Sequence, residues 1–179
     1  YPETLETGLA AWAESLGASP PVLSALTMEP AKLSGVPPLA VAHAGADIVC
    51  LLLDERSFCP PSVEEKMSLA VALRAEAQTA GVDPARLIFD PVMPNLSWPD
   101  AGAHLDAAVE CVRAIASGDL FGEPARTMAG ISNLLSGGLR RAHHAAPELE
   151  RGALRRLAAA GLHAALCNAL DTDLIQSFI

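Results

Sequence analysis

The sequence predicts an α/β protein built on a parallel sheet, and three observations carry that prediction. Apolar runs of strand length alternate with stretches of helix length along the 179 residues. One run, Asp47-Ile48-Val49-Cys50-Leu51-Leu52-Leu53, is continuous rather than alternating, as expected of a strand buried on both faces. The long connections all follow strands and the connections from helix to strand are short, which gathers polar loops at one edge of the sheet.

The elements follow in order. Pro2 in a first turn, with Leu5, Leu9 and Trp12 at helical spacing, predicts a helix ending near Gly17. A strand over 21–26 comes next, then a short helix from Leu39 to about Gly45 and the strand over 47–53. A long helix begins at Ser62, with Glu64 and Glu65 in its first turn and Gly81 after its end. The unit then repeats: strand 86–90, loop to Asp100 and helix 101–117; strand 127–131, loop to Pro147 and helix 148–161; strand 163–167. Strands joined by helical crossovers run parallel, so five parallel strands are expected.

Composition narrows the function classes. With 51% hydrophobic and 18% charged residues the chain is globular, and residues 1–179 read as a single domain. A net charge of −9 and only twelve Lys and Arg exclude the broad basic face that a nucleic-acid partner requires. Cys50, Cys59, Cys111 and Cys167 form neither a CxxC pair nor a Cys/His ligand spacing, so no metal site and no disulfide framework is expected, and a reducing cytoplasm is the simplest setting. The longest apolar runs are strand-sized and no apolar leader is present, so no membrane partner is expected. The chain opens in a helix without an initiator Met and falls short of the roughly 250 residues of a closed (β/α)₈ barrel, so an upstream segment is expected to be missing.

Candidate chemistry lies at the strand-to-helix edge. Asp90 closes Leu87-Ile88-Phe89-Asp90, Asn133 closes Ala129-Gly130-Ile131-Ser132-Asn133, and Asn168 closes Ala164-Ala165-Leu166-Cys167-Asn168. Taken singly, each reads more simply as a cap on the next turn. Three in register at one rim read as a site.

Phe89-Asp90-Pro91-Val92-Met93-Pro94, then Met128-Ala129-Gly130-Ile131-Ser132-Asn133, then Ala160-Gly161-Leu162-His163-Ala164-Ala165-Leu166-Cys167-Asn168-Ala169-Leu170-Asp171 resemble the last three strand motifs of the methyltetrahydrofolate:corrinoid protein methyltransferases. Glu3-Thr4-Leu5-Glu6-Thr7-Gly8-Leu9 resembles that family's third helix. The resemblance implies a pterin-binding TIM barrel, here truncated to strands four to eight with their helices. It implies transfer of the methyl group of 5-methyltetrahydrofolate to cobalt held by a separate corrinoid protein, the barrel itself needing no metal.

The resemblance makes Asp90 the pterin anchor. A carboxylate accepts two N–H groups from the guanidine-like edge of a pterin as it would from arginine's fork. Asn133 is implied as the catalytic contact near the ring nitrogen that loses the methyl group, with Ser24, Gly130, Ser132 and Asn168 beside the substrate. Departures from the family pattern are Ser24 where the fourth strand usually ends in Asn, Glu150 in place of an Asn, and an apparent insertion around His143-His144-Ala145-Ala146.

The alternatives are a non-catalytic pterin-barrel subunit or scaffold, and a dihydropteroate synthase, whose lysine and Ser-x-Arg pattern is not seen. Five strands of a barrel expose an edge and an apolar flank, so a homodimer is expected to cover them. Plainer readings attach to other residues. Arg140, Arg141, His143 and His144 read as a solvated loop, with a folate glutamate tail or the corrinoid protein as the functional alternative. Trp98 reads as packing over the barrel mouth, with a ligand cover as the alternative. Arg151, Arg155 and Arg156 read as a helix's solvent face offsetting Glu148 and Glu150, and Cys167 as core.

Overall fold

The computed structural model describes residues 2–15, 20–43, 45–136, 146–176 and 178. Its order is α1 (Pro2–Ser15), β1 (Val22–Leu26), α2 (Pro30–Ala42), β2 (Asp47–Leu51), α3 (Val63–Thr79), a 3₁₀ turn (Pro84–Arg86) and β3 (Leu87–Asp90). There follow α4 (Ala101–Ser117), β4 (Arg126–Gly130), a second 3₁₀ segment (Ile131–Leu135), α5 (Ala146–Ala159), β5 (Ala164–Leu166) and α6 (Thr172–Gln176). The protein is α/β, with a five-stranded, all-parallel sheet and six α-helices among the described residues. Each strand lies beside its predecessor, in the order β1-β2-β3-β4-β5. That winding runs in one direction, without the reversal of a doubly wound sheet. It is compatible with part of an α/β barrel. No helix among the described residues is long and apolar enough to cross a membrane.

The helices lie against one face of the sheet. Leu23 and Leu26 of β1, Ile48 and Cys50 of β2, and Leu87 and Phe89 of β3 are buried against Val36 and Ala40 of α2, Ala70, Leu73 and Ala77 of α3, and Cys111 and Ile115 of α4. Ala129 continues this face on β4, packed with Ala108 and Val112 of α4 and Leu154 and Leu157 of α5. The pleat turns the alternate residues to the opposite face. There Val22, Ser24, Ala164 and Leu166 are exposed, whereas Val49, Gly130 and Asp90 are buried.

Helix α3 begins as its sequence dictates. Ser62 Oγ accepts from Glu65 N at 3.2 Å and donates to Glu65 Oε2 at 2.7 Å, so both residues of the capping box are engaged. Helix α4 keeps its expected bounds, closing on Gly118 at φ 91°. A side chain at Gly118 would also meet the Glu123 backbone at 2.8 Å.

Other expectations are corrected. Helix α2 starts at Pro30, nine residues before the expected Leu39, and runs through Pro37 and Pro38. A proline pair inside a helix forfeits backbone hydrogen bonds; burial of Val36, Pro37 and Ala40 against the sheet outweighs that loss. Glu150 is 1% exposed rather than on a solvent face. It shares the spacing of Ala153, Leu154 and Leu157, the core stripe of α5. Arg151 and Arg156 do find acids, with Arg151 paired to Glu148 and Asp173 and Arg156 to Asp106. Helix α6 was not expected; Asp171 Oδ1 accepts from Leu174 N at 3.1 Å across its first turn, and Leu174 is buried. Cys167 lies just past β5, half-buried against the core. Arg140, Arg141, His143 and His144 lie outside the described residues.

Candidate functional site

Parallel strands place their C-terminal ends on one edge, and this edge gathers the loops after β2, β3, β4 and β5. Asp90 ends β3 as expected and is 6% exposed. Its Oδ1 accepts from Val92 N at 2.8 Å. Burial pushes its carboxyl up to about 6, against the downward pull of the Val92 amide and the Lys66 cation. At neutral pH the group is still mostly ionised, and it sits where hydrogen-bond donors are worth most.

Three further expected residues, Ser24, Gly130 and Asn133, join Asp90 on the open face of the sheet, with Gly130 in the strand where the sequence put it. Ser24 lies within β1 rather than at its end. It pairs with Val49, which pairs with Ile88, two residues before Asp90 on β3, so Ser24 faces the same side one pleat nearer the opposite edge. A bulge in β1 between Ser24 and Leu26 sets the register beyond it.

Asn133 does not close β4; it lies in the 3₁₀ segment that follows. A Cβ at Gly130 would come within 3.3 Å of Asn133 Nδ2, so the amide is folded over the position that glycine leaves open. Asn95, from the loop after β3, fixes this segment by donating to the Asn133 carbonyl at 3.3 Å and to Ser136 Oγ at 2.7 Å.

The other two are less engaged. Ser132 is exposed on the same 3₁₀ segment. Asn168 lies two residues past β5, exposed, and its Oδ1 accepts from Leu170 N at 3.1 Å. That is the turn-capping role expected of a single asparagine.

Behind the Asp90 turn lies a constellation that the sequence reading passed over. A cavity of about 710 Å³ opens between the β2–α3 and β3–α4 loops, lined by Phe58, Cys59, Val92, Trp98 and His104 among others. Lys66 of α3, 0% exposed, donates to Pro91 O at 2.8 Å and approaches Cys59 Sγ to 2.8 Å. The turn Asp90-Pro91-Val92 is thus held by a carboxylate on one side and by a lysine on the other.

Three non-glycine residues among those described have left-handed backbone: Ser57 (φ 61°), Val92 (φ 62°) and Asp100 (φ 56°). All three line this cavity. For β-branched Val92 the conformation is costly and persists because its surroundings fix it. Trp98 stands edge-on to His104 with ring centroids 5.5 Å apart. His104 Nδ1 is buried with no hydrogen-bond partner among the described residues, and burial, then Lys66, pull its proton affinity below the usual value despite Asp100.

A signal for Lys66 was present. It falls on the stripe Lys66, Ala70, Leu73, Ala77, which α3 buries, and a lysine on a core stripe requires a partner. Cys59 had no such signal, since a loop carries no periodicity. Among the described residues no three His, Cys, Asp or Glu side chains gather to hold a metal ion. No family model matches the chain, and no curated protein matches it.

Proposed function

We propose that this chain is a five-strand arc of a pterin-binding (β/α)₈ barrel, and that its Asp90 rim binds a reduced pterin for transfer of the methyl group of 5-methyltetrahydrofolate to the cobalt of a corrinoid protein. The observation that carries the reading is a buried carboxylate at the C-terminal edge of a sheet wound in one direction, with its helices on one face. Barrels place their sites at that edge.

Asp90 accepts the N–H donors of the pterin's guanidine-like edge. The Asn133 amide, lying over Gly130 on the same face, donates toward the ring nitrogen as its charge changes during transfer. Gly130 lies beneath that amide, and Ser24 faces the same side from β1, two strands beyond Asp90. The exposed Val22 and Leu166 on this face are covered, in the same reading, by further strands or by a second copy of the chain.

A second reading, a pterin-barrel subunit without catalysis, draws on Asn168, whose side chain is engaged in its own turn. Calorimetric titration with 5-methyltetrahydrofolate separates the two. We expect binding at neutral pH that weakens as pH falls through about 6, where Asp90 takes up a proton. Asp90→Ala removes two charge-assisted hydrogen bonds and should weaken binding by at least about a hundredfold. Asn133→Ala should leave binding nearly intact and slow single-turnover transfer to cobalt(I) cobalamin. A wild-type chain that binds no reduced pterin would leave the scaffold reading standing.

A further inference from the structure

The closest approach to sulfur among the described hydrogen bonds is that of Lys66 Nζ to Cys59 Sγ, at 2.8 Å. The other contacts of this sulfur, to the carbonyls of Pro60, Pro91 and Val92, lie at 3.8, 3.8 and 3.9 Å. The amine therefore stands a full ångström inside the rest of the sulfur's surroundings. Lys66 is held there from the other side by the Pro91 carbonyl, so the two nucleophiles cannot easily separate. Cys59 is 5% exposed, yet it lines the cavity of about 710 Å³, which admits a small reagent to the sulfur.

We propose that Cys59 and Lys66 form a modification site at which a hydroperoxide joins the two side chains through a sulfur–nitrogen bond. In the first step the Cys59 sulfur attacks the peroxide, the O–O bond breaks, sulfur is oxidised by two electrons to the sulfenic acid, and the peroxide leaves as water or alcohol. In the second step Lys66 gives up its ammonium proton to water and attacks sulfur with the lone pair so freed, and hydroxide departs with one further amine proton as water. The product is a sulfenamide. No second oxidant is consumed, and a thiol reverses the reaction by attacking sulfur and releasing the amine. The bond fastens the β2–α3 loop to the first turns of α3. It also removes the Lys66 cation, one of the two groups that favour the ionised form of Asp90. The inference does not rest on the pterin reading.

The full chain is treated with stoichiometric hydrogen peroxide and its mass is read without reductant. A loss of about 2 Da, reversed by dithiothreitol, is expected. Trypsin supplies an independent readout, because cleavage after Lys66 requires a free amine. Reduced protein should give separate peptides 57–66 and 67–74, and oxidised protein a joined peptide 57–74. Protein unfolded in guanidinium before the same treatment should give at least about tenfold less joined peptide, since the pair is brought together only by the fold. Lys66→Arg should give none, and in that variant Cys59 should advance to sulfinic acid. Cleavage at Lys66 that is unaffected by peroxide, with Cys59 unmodified, over-oxidised or in a disulfide, would overturn the proposal. So would an equal yield from unfolded protein.

Discussion

The two edges of the sheet handle charge in opposite ways. At the N-terminal edge Arg126 meets Asp47 in a two-pronged pair, Nη1 to Oδ2 at 2.7 Å and Nη2 to Oδ1 at 2.8 Å, and Nη2 also donates to Ala85 O at 2.8 Å. Acid answers base there, across the start of β3. At the C-terminal edge the opposite charges are kept on different partners. Asp90 bonds to a backbone amide, and Lys66 to a carbonyl and a thiol. The first arrangement engages both carboxylate oxygens of Asp47 with a guanidinium inside the fold. The second leaves a buried carboxylate with capacity for a ligand, in the half of a parallel α/β sheet where sites are found.

The contrast is most exposed to disproof at Lys66. Lys66→Ala deletes a fully buried side chain and strips the Pro91 carbonyl of its donor, so a loss of about 4 kcal/mol is expected in urea unfolding. An unchanged midpoint would mean that the lysine is a passenger and that the turn is held by other contacts.

The next effect has the opposite sign. Folded protein holds the Asp90 proton up to about pH 6, whereas an unexposed-to-burial carboxyl releases it near 3.8. The protonated form therefore contributes stability that is full below about pH 4 and is lost as pH rises through 6. Asp90→Asn keeps an oxygen for the Val92 amide and cannot ionise. It should stabilise the protein at pH 7 by on the order of 3 kcal/mol and be near neutral at about pH 4. Unfolding curves for both proteins at the two pH values would check this. A variant less stable than wild type at pH 7 would show that the carboxylate is paired for stability, as at the other edge.

At that other edge, Asp47→Asn should cost only about 1 kcal/mol, because the Arg126 and Asp47 side chains are 38% and 21% exposed and water screens them. Differential scanning calorimetry resolves a change of that size. The smallest effect is expected from Asn168→Ala, at most about 0.5 kcal/mol, since the residue is exposed and caps a surface turn. If this variant instead weakened pterin binding more than about tenfold at unchanged stability, Asn168 would belong with Asp90 as a ligand contact.

Much of the fold was legible because its signals are local. The capping box of Ser62 and Glu65 fixes where α3 begins from four consecutive residues, and Gly118 stops α4 by its own backbone freedom. The alternation of apolar runs and helical stretches, with the continuous run over 47–53, determined the parallel α/β class and the edge on which the loops gather. Asp90 was legible for the same reason, as the last residue of an apolar run with a proline behind it.

What the tertiary structure alone decided depends on contacts between segments distant along the chain. The burial that carries α2 through Pro37 and Pro38 comes from the sheet beneath it, and the core stripe that takes Glu150 inside comes from α4 and β4. Asn133 reaches the open face because β4 stops at Gly130 and the missing Cβ makes room for the amide. Cys59 and Lys66 are seven residues apart, one in a loop and one in a helix, and neither periodicity nor capping relates them. Their meeting is fixed by Pro91, twenty-five residues beyond Lys66, whose carbonyl draws the lysine inward to the sulfur. Propensity acts within a turn of chain, whereas the desolvation that makes a buried charge seek its partner is set only when the whole sheet has formed.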